Sequence, residues 1–260
     1  MGSNEKTASA RNQSSEKLIR IIEFLAEQKE AVRLLDISQN LGINSSTALR
    51  FLSTLINTGY AEQDSATSKY RLTMRFCTLA HKISSKISLR DIARPYMETL
   101  SSQFRELVCL AVEQGGQVVY VDTVQSEGTV LMAMQRIGSI APMHCTAIGK
   151  LLLLNYSDEM LRKLAGQGLH GYTKHTITTF EGLMSELKQV REQGYAFDNE
   201  ECELNARCVA FPIYDITGKV IAGMSITGPA YRLTDELIFL RMKDCLLASG
   251  EISAKMGYLV

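Results

Sequence analysis

The spacing of apolar residues changes period along this chain. Leu18, Ile21, Ile22 and Leu25 recur at i, i+3, i+4 and i+7 behind Ser14 and Ser15, either of which can cap a helix. A first helix with one buried face is predicted there. Two shorter helical stretches follow, Leu34 to Leu41 and Ser45 to Thr58, separated only by Gly42, Ile43 and Asn44. Gly42 can take the positive φ that ends the first, and Ser45 or Ser46 can cap the second. Ile37, Leu41, Ile43, Leu49, Leu52 and Leu55 fit the core side of two crossing helices. That leaves Ser45, Ser46, Thr47, Arg50 and Ser53 on or near the outward side. Beyond Gly59 the pattern becomes extended, out through Tyr60 and Ala61 to a polar tip and back through Lys69, Tyr70, Arg71 and Leu72. Helix, helix, turn, helix, hairpin is the order of a winged helix-turn-helix.

Leu72, Phe76, Leu79, Ala80, Ile83 and Ile87 then mark a connecting helix whose apolar stripe suits contact with a second copy. Arg90 to Phe104 reads as a further helix, with Pro95 tolerable in its first turns. From Leu107 short extended runs take over. Val108 to Val112 and Val118 to Val124 flank Gly115 and Gly116, a hairpin signal, and Thr129 to Met134 reads as a third strand. Helical stretches follow at Thr146 to Leu154, Asp158 to Leu164 and Phe180 to Gln193. A second hairpin joins Val209–Tyr214 to Val220–Thr227, and an amphipathic helix from Thr234 to Met256 closes the chain. Strands joined by hairpins, with helices outside, predict an antiparallel α+β domain. The expected organisation is a disordered arm over 1–13, a winged helix-turn-helix over 14–73, a linker helix over 74–90 and a larger sensing domain over 91–260.

Composition narrows the classes. No stretch approaches the ~20 apolar residues that a membrane helix needs, and the polar start lacks a secretory leader's apolar segment. The six cysteines show no framework spacing and no C-x-x-C pair, as free thiols in a reducing cytoplasm would. Net charge is zero, so charge alone carries no claim on nucleic acid, and the DNA reading rests on the motif. Short hydroxyls at a helix start suit phosphates, and Arg50 can pair with guanine in a major groove. Lys69 and Arg71 would bring charge to the DNA backbone from the wing.

At this point the residues become familiar. Leu35-Asp-Ile-Ser-Gln-Asn-Leu-Gly42, Ser46-Thr-Ala-Leu-Arg50, Gly59-Tyr60 and Tyr70-Arg-Leu72 resemble the IclR family of bacterial transcriptional regulators. The second half adds Pro142-Met-His144 with Ala147-Ile-Gly-Lys150, Gly194-Tyr-Ala-Phe-Asp-Asn-Glu-Glu201, Arg207-Cys208 with Phe211-Pro212, and Ser225-Ile-Thr-Gly-Pro229. The resemblance implies a winged helix-turn-helix joined by a linker helix to a GAF-like antiparallel α/β effector domain. It also implies binding to double-stranded operator DNA as a homodimer or homotetramer in the bacterial cytoplasm, more often as a repressor. No cofactor, no metal and no membrane partner is expected, and no enzymatic activity.

The same resemblance assigns an effector pocket to Ala147, Ile148, Asp198, Cys208, Ser225 and Thr227, with Val130 and Ala133 as apolar wall positions. Ser225 and Thr227 alternate onto one face of a strand. These groups suit a small organic or aromatic acid, its carboxylate held by donors and a second polar group meeting Asp198. Cys145 and Asn205 depart from the family pattern; the family usually has Gly at the latter, and Asn tolerates a left-handed backbone.

Two other readings compete. His144, Cys145 and Asp198 contain the ingredients of a thiol enzyme, although neighbours in sequence point apart. His144, Cys145, Cys202 and Cys208 contain those of a metal or thiol-redox sensor, although Cys202 and Cys208 lie too far apart for the usual ligand pair. Gly149-Lys150 lacks the full phosphate-loop spacing. His144 also has a plain reading as a hydrogen-bonded core histidine, and Cys208 as a buried thiol.

Overall fold

The structure, a computed structural model, describes residues 13–84, 86–125 and 136–259. It divides into two units, one ending at Lys86 and the other beginning at Ile87.

The first unit contains α1 (Gln13–Glu27), α2 (Leu34–Leu41), α3 (Ser45–Asn57), β1 (Ala61–Gln63), β2 (Tyr70–Leu72) and α4 (Arg75–Ser84). Ile21 and Leu25 of α1, Ile37 of α2, and Phe51, Leu52 and Leu55 of α3 close on Ala61 and Tyr70 of the wing. Gly42 ends α2 at φ 64°. Several details differ from the sequence reading. Ser14 and Ser15 lie inside α1, which already includes Gln13, so the arm expected over 1–13 loses its last residue to a helix; its remainder lies outside the described residues. The N-cap of α3 is Asn44, with Ser45 the first helical residue. Leu49 is 44% exposed, and Ala48, fully buried, takes its core place. Leu72 pairs with Ala61 in the wing instead of opening the connecting helix. On α4 itself Leu79 and Ile83 are exposed.

In the second unit α5 (Leu89–Phe104), capped by Ser88, precedes β3 (Leu107–Gln114), β4 (Gln117–Val124) and β5 (Ile140–Ala141). Then come α6 (Ala147–Leu153), α7 (Asp158–Gly166), α8 (Phe180–Gln193), β6 (Ala196–Asn199), β7 (Ala206–Tyr214), β8 (Val220–Pro229) and α9 (Asp235–Lys255). The strands form one antiparallel sheet in the order β5-β4-β3-β8-β7-β6. The expected strand at Thr129 to Met134, with Val130 and Ala133, lies outside the described residues. β5 and β6 were not read from the sequence, and β7 starts at Ala206 rather than Val209. Gly115 and Gly116, both at positive φ, make the tight β3–β4 turn.

Period-two alternation sorts the sheet into two buried faces. Val108, Leu110, Val209, Phe211, Met224 and Ile226 meet α5 and α9. Cys109, Ala111, Cys208 and Ala210 meet α6 and the helices behind it. A bulge interrupts β4, since Leu110 pairs with Asp122 and Ala111 with Tyr120, leaving Val121 between them. Tyr120 and Asp122, of equal parity, therefore face opposite layers. Asp122 meets Arg94 and Arg90 of α5, while Tyr120 joins the α6 layer.

Candidate functional site

Asp198 on β6 pairs in register with Cys208 on β7, and Cys208 with Thr227 on β8. One row of the sheet thus carries a carboxylate, a thiol and a hydroxyl side by side. Ser225 stands one row along the same face, between Ala210 and Cys109. Opposite them, Ala147 and Ile148 begin α6. These six residues, which are the six expected in the pocket, line one cavity of about 250 Å³. All six are buried. Pro142 and Thr146 before α6, Tyr120, Tyr172 and Cys202 complete much of the wall.

Local chemistry fixes that wall. Thr146 caps α6, accepting the Gly149 N–H at 3.1 Å and donating to the Pro142 carbonyl at 2.6 Å. Gly149 allows this packing, because a Cβ there would stand 2.2 Å from the Met143 carbonyl oxygen. The Asp198 Oδ1 accepts the N–H groups of Glu201 at 2.8 Å and Cys202 at 3.3 Å. Thr227 donates its hydroxyl to the Cys208 sulfur at 3.2 Å. Asn205 sits at φ 65°, the left-handed conformation that Gly would adopt freely, and closes the turn into β7.

Beside the cavity lies a buried charge cluster. Lys150 is 1% exposed, and its Nζ donates to Glu186 at 2.8 Å, Glu201 at 2.5 Å and the Phe197 carbonyl at 2.8 Å. Burial works against the Lys150 charge, but Glu201 and Glu186 more than offset it, and its pKa is raised. Burial pushes Glu201 up to about 7 against the pull of Lys150. The close Lys150 ammonium favours an ion pair, so we take Lys150 as charged and Glu201 as the group that titrates.

The thiol-enzyme and metal-site constellations do not assemble among the described residues. His144 Nε2 donates to the His170 carbonyl at 3.0 Å, a satisfied buried histidine whose pKa is lowered chiefly by burial. Cys145 turns instead to Cys202, with sulfurs 3.0 Å apart. Among the described residues no group of three His, Cys, Asp or Glu side chains is arranged to hold a metal ion.

In the first unit Ser45, Ser46, Arg50 and Ser53 of α3 are exposed and Thr47 is half-buried. Ser46, Arg50 and Ser53 share one face, and the Arg50 guanidinium lies 5.3 Å from the Phe51 ring centroid. On the wing Lys69 is half-buried, and Arg71 is held by Glu62 across the hairpin at 2.6 Å. The sequence reading had not anticipated that bridge.

Comparison with known proteins agrees with this architecture. Residues 14–65 match the IclR helix-turn-helix domain, and residues 81–253 match the C-terminal domain of bacterial IclR transcriptional regulators. The chain belongs to the IclR family. It is 36% identical over 243 residues to the HTH-type transcriptional regulator KdgR of Escherichia coli, covering 93% of this chain and 92% of that one. It is 33% identical over 249 residues to the acetate operon repressor of Salmonella typhimurium, covering 94% and 90% respectively. The crystal structure of Thermotoga maritima IclR superposes with a TM-score of 0.62 at 28% identity, covering 94% of this chain and 99% of that one. The protein is accordingly a DNA-binding transcriptional regulator with an effector-binding C-terminal domain, and not an enzyme. Among the described residues no helix is long and apolar enough to cross a membrane.

In this IclR-family chain the sequence reading missed Tyr120, Thr146, Tyr172 and Cys202 as cavity walls. Thr146 had a visible signal, a hydroxyl directly before a helical run. The cavity also sets a pH dependence. Burial raises Asp198 from 3.8 to about 6, although the N–H groups of Glu201 and Cys202 partly oppose the shift. A carboxylate raised in the folded state contributes stability that is complete below its unfolded pKa and lost as pH rises through the folded one. Asp198→Asn should therefore gain thermal stability relative to wild type between about pH 4 and pH 7, the variant keeping an oxygen acceptor. Melting curves with a constant difference across that window would contradict the assignment.

Proposed function

We propose that this chain is a repressor released from its operator by a small monocarboxylic acid bound in the α6-facing cavity. The observation that carries the reading is the convergence of Ala147, Ile148, Asp198, Cys208, Ser225 and Thr227 on one cavity. Its volume lies near the lower end of the ~300–1,000 Å³ usual for ligand pockets, which favours a small acid. Among the described residues the wall offers the hydroxyls of Ser225 and Tyr120 as donors, with that of Thr227 now turned to the Cys208 sulfur, and includes no Lys or Arg. One carboxylate suits such a wall better than two. Asp198 then calls for a hydroxyl, amine or hydrated oxo group on the ligand. Repression is favoured because the relative from Salmonella typhimurium is itself named a repressor.

The DNA-facing part of the reading uses Ser45, Ser46, Thr47, Arg50 and Ser53 of α3, with Lys69 and Arg71 approaching from the wing. Arg71 must exchange Glu62 for a phosphate, whereas Arg50 has no ion-pair partner to give up among the described residues. A single winged unit covers one half-site, so the protein acts as at least a dimer in the bacterial cytoplasm. The exposed Leu79 and Ile83 of α4 suit that contact.

Arg50→Ala should weaken operator binding by about 1–3 kcal/mol and relax base preference at the position it reads. Its exposure predicts an unchanged melting temperature. Footprinting of this variant with undiminished affinity and preference would remove α3 from the role. For the cavity, a hydroxy acid present at about 100 times its Kd should stabilise the protein by about 2.7 kcal/mol. A panel of such acids that leaves melting unchanged would contradict the ligand class.

A further inference from the structure

Cys145 and Cys202 are 57 positions apart in sequence, yet their sulfurs are 3.0 Å apart. A buried cysteine is ordinarily a small apolar filler. This pair differs in two respects: each sulfur has the other as its neighbour, and one of them opens onto the cavity. Cys145 is fully buried just before α6, whereas Cys202 is half-buried and lines the cavity. Its backbone N–H donates to the Asp198 carboxylate at 3.3 Å, which holds the turn beside the cavity. Disulfide formation needs the sulfurs to close by only about 1 Å.

We propose that Cys145 and Cys202 form a two-electron thiol switch, oxidised to a disulfide by a small hydroperoxide that enters the cavity, and that closure changes operator affinity. The second half rests on the reading of the cavity as the effector site; the first does not. The Cys202 sulfur attacks the hydroperoxide, and its proton leaves with the outgoing oxygen. The O–O bond breaks, leaving a sulfenic acid on Cys202 and an alkoxide that takes the thiol proton to become an alcohol. The Cys145 sulfur then attacks the sulfenic sulfur. The S–S bond forms, the S–O bond breaks, and hydroxide leaves with the Cys145 proton as water. Two thiols and one hydroperoxide give one disulfide, one alcohol and one water. The new bond ties the segment leading into α6 to the turn after β6, the two segments that present Thr146, Ala147, Asp198 and Glu203 to the cavity.

The test uses the full chain carrying Cys77→Ser, which removes the exposed thiol of the other unit. After treatment with hydrogen peroxide and alkylation, non-reducing peptide mass spectrometry should show Cys145 joined to Cys202, with the bond reversed by dithiothreitol. Adding Cys145→Ser should leave Cys202 as a sulfenic acid that dimedone traps. If Cys145 and Cys202 are instead both recovered alkylated, or joined to other cysteines, the switch does not exist and the effector reading stands untouched. Operator affinity of the oxidised and reduced forms is then compared without any acid present. A change of about fivefold or more supports the coupling. A disulfide that forms with a smaller change overturns the regulatory half of the proposal.

Discussion

Gly149→Ala is expected to destabilise the effector-binding unit by about 3 kcal/mol or more, the upper part of the range for an overpacked core. The added Cβ would stand 2.2 Å from the Met143 carbonyl oxygen and 2.6 Å from its carbonyl carbon and Cα. Those atoms belong to the backbone and cannot rotate away, so the segment before α6 or α6 itself must shift. Either movement displaces Thr146, Ala147 and Ile148 from the cavity wall. Gly223→Ala is the comparison. There the new methyl would meet the Ile148 side chain at 2.7 Å, a side chain rather than a backbone, so a smaller loss is expected. Urea denaturation of the two variants checks both the size and the order. Equal losses would show that the α6 entry is not the rigid feature described above.

Lys150→Met should cost about 3–5 kcal/mol, because removing one partner of a buried ion pair leaves an uncompensated charge. Glu201 is 5% exposed, and its second oxygen, Oε2, has no hydrogen-bond partner among the described residues. Without the ammonium it must either protonate or draw in water, and the Phe197 carbonyl loses its donor. The double variant Lys150→Met, Glu201→Gln should recover part of the loss, since a neutral amide tolerates burial better than an unpaired carboxylate. Denaturation midpoints for the single and double variants measure this directly. A double variant no more stable than the single one would place the cost in packing rather than charge.

Much of the fold was legible in the sequence. Gly42 and the short gap after it located the helix-turn-helix, and two glycines in a row located the β3–β4 hairpin. The six cavity residues were named from the family resemblance, with alternation supporting Ser225 and Thr227. What the sequence hid has a common physical origin, in features that depend on distant partners. Tyr120 faces the cavity only because a bulge at Val121 resets the alternation on β4, and no local pattern marks that bulge. Leu49 was grouped with Leu52 and Leu55 on the core side, but it is Ala48 that is buried and Leu49 that is exposed. Spacing set Gly149-Lys150 aside as a phosphate loop, but nothing local marked Lys150 as buried against Glu186 and Glu201. The contact between Cys145 and Cys202 depends on how the segment before α6 meets the turn after β6. Spacing within either segment does not reveal it.

Occupation of one cavity is expected to control DNA binding by the other unit of the same chain. The most direct measurement is operator affinity, by fluorescence anisotropy on a DNA site selected with the purified protein. It should be titrated with the hydroxy or oxo acid that gives the largest thermal shift, for wild type and Ser225→Ala. The acid should weaken wild-type binding by about 5–150-fold. In Ser225→Ala the same response should need an acid concentration higher by the equivalent of about 1.5–3 kcal/mol, with ligand-free affinity for DNA unchanged. Identical acid dependence in the two proteins, or an acid that binds without altering operator affinity, would contradict that control.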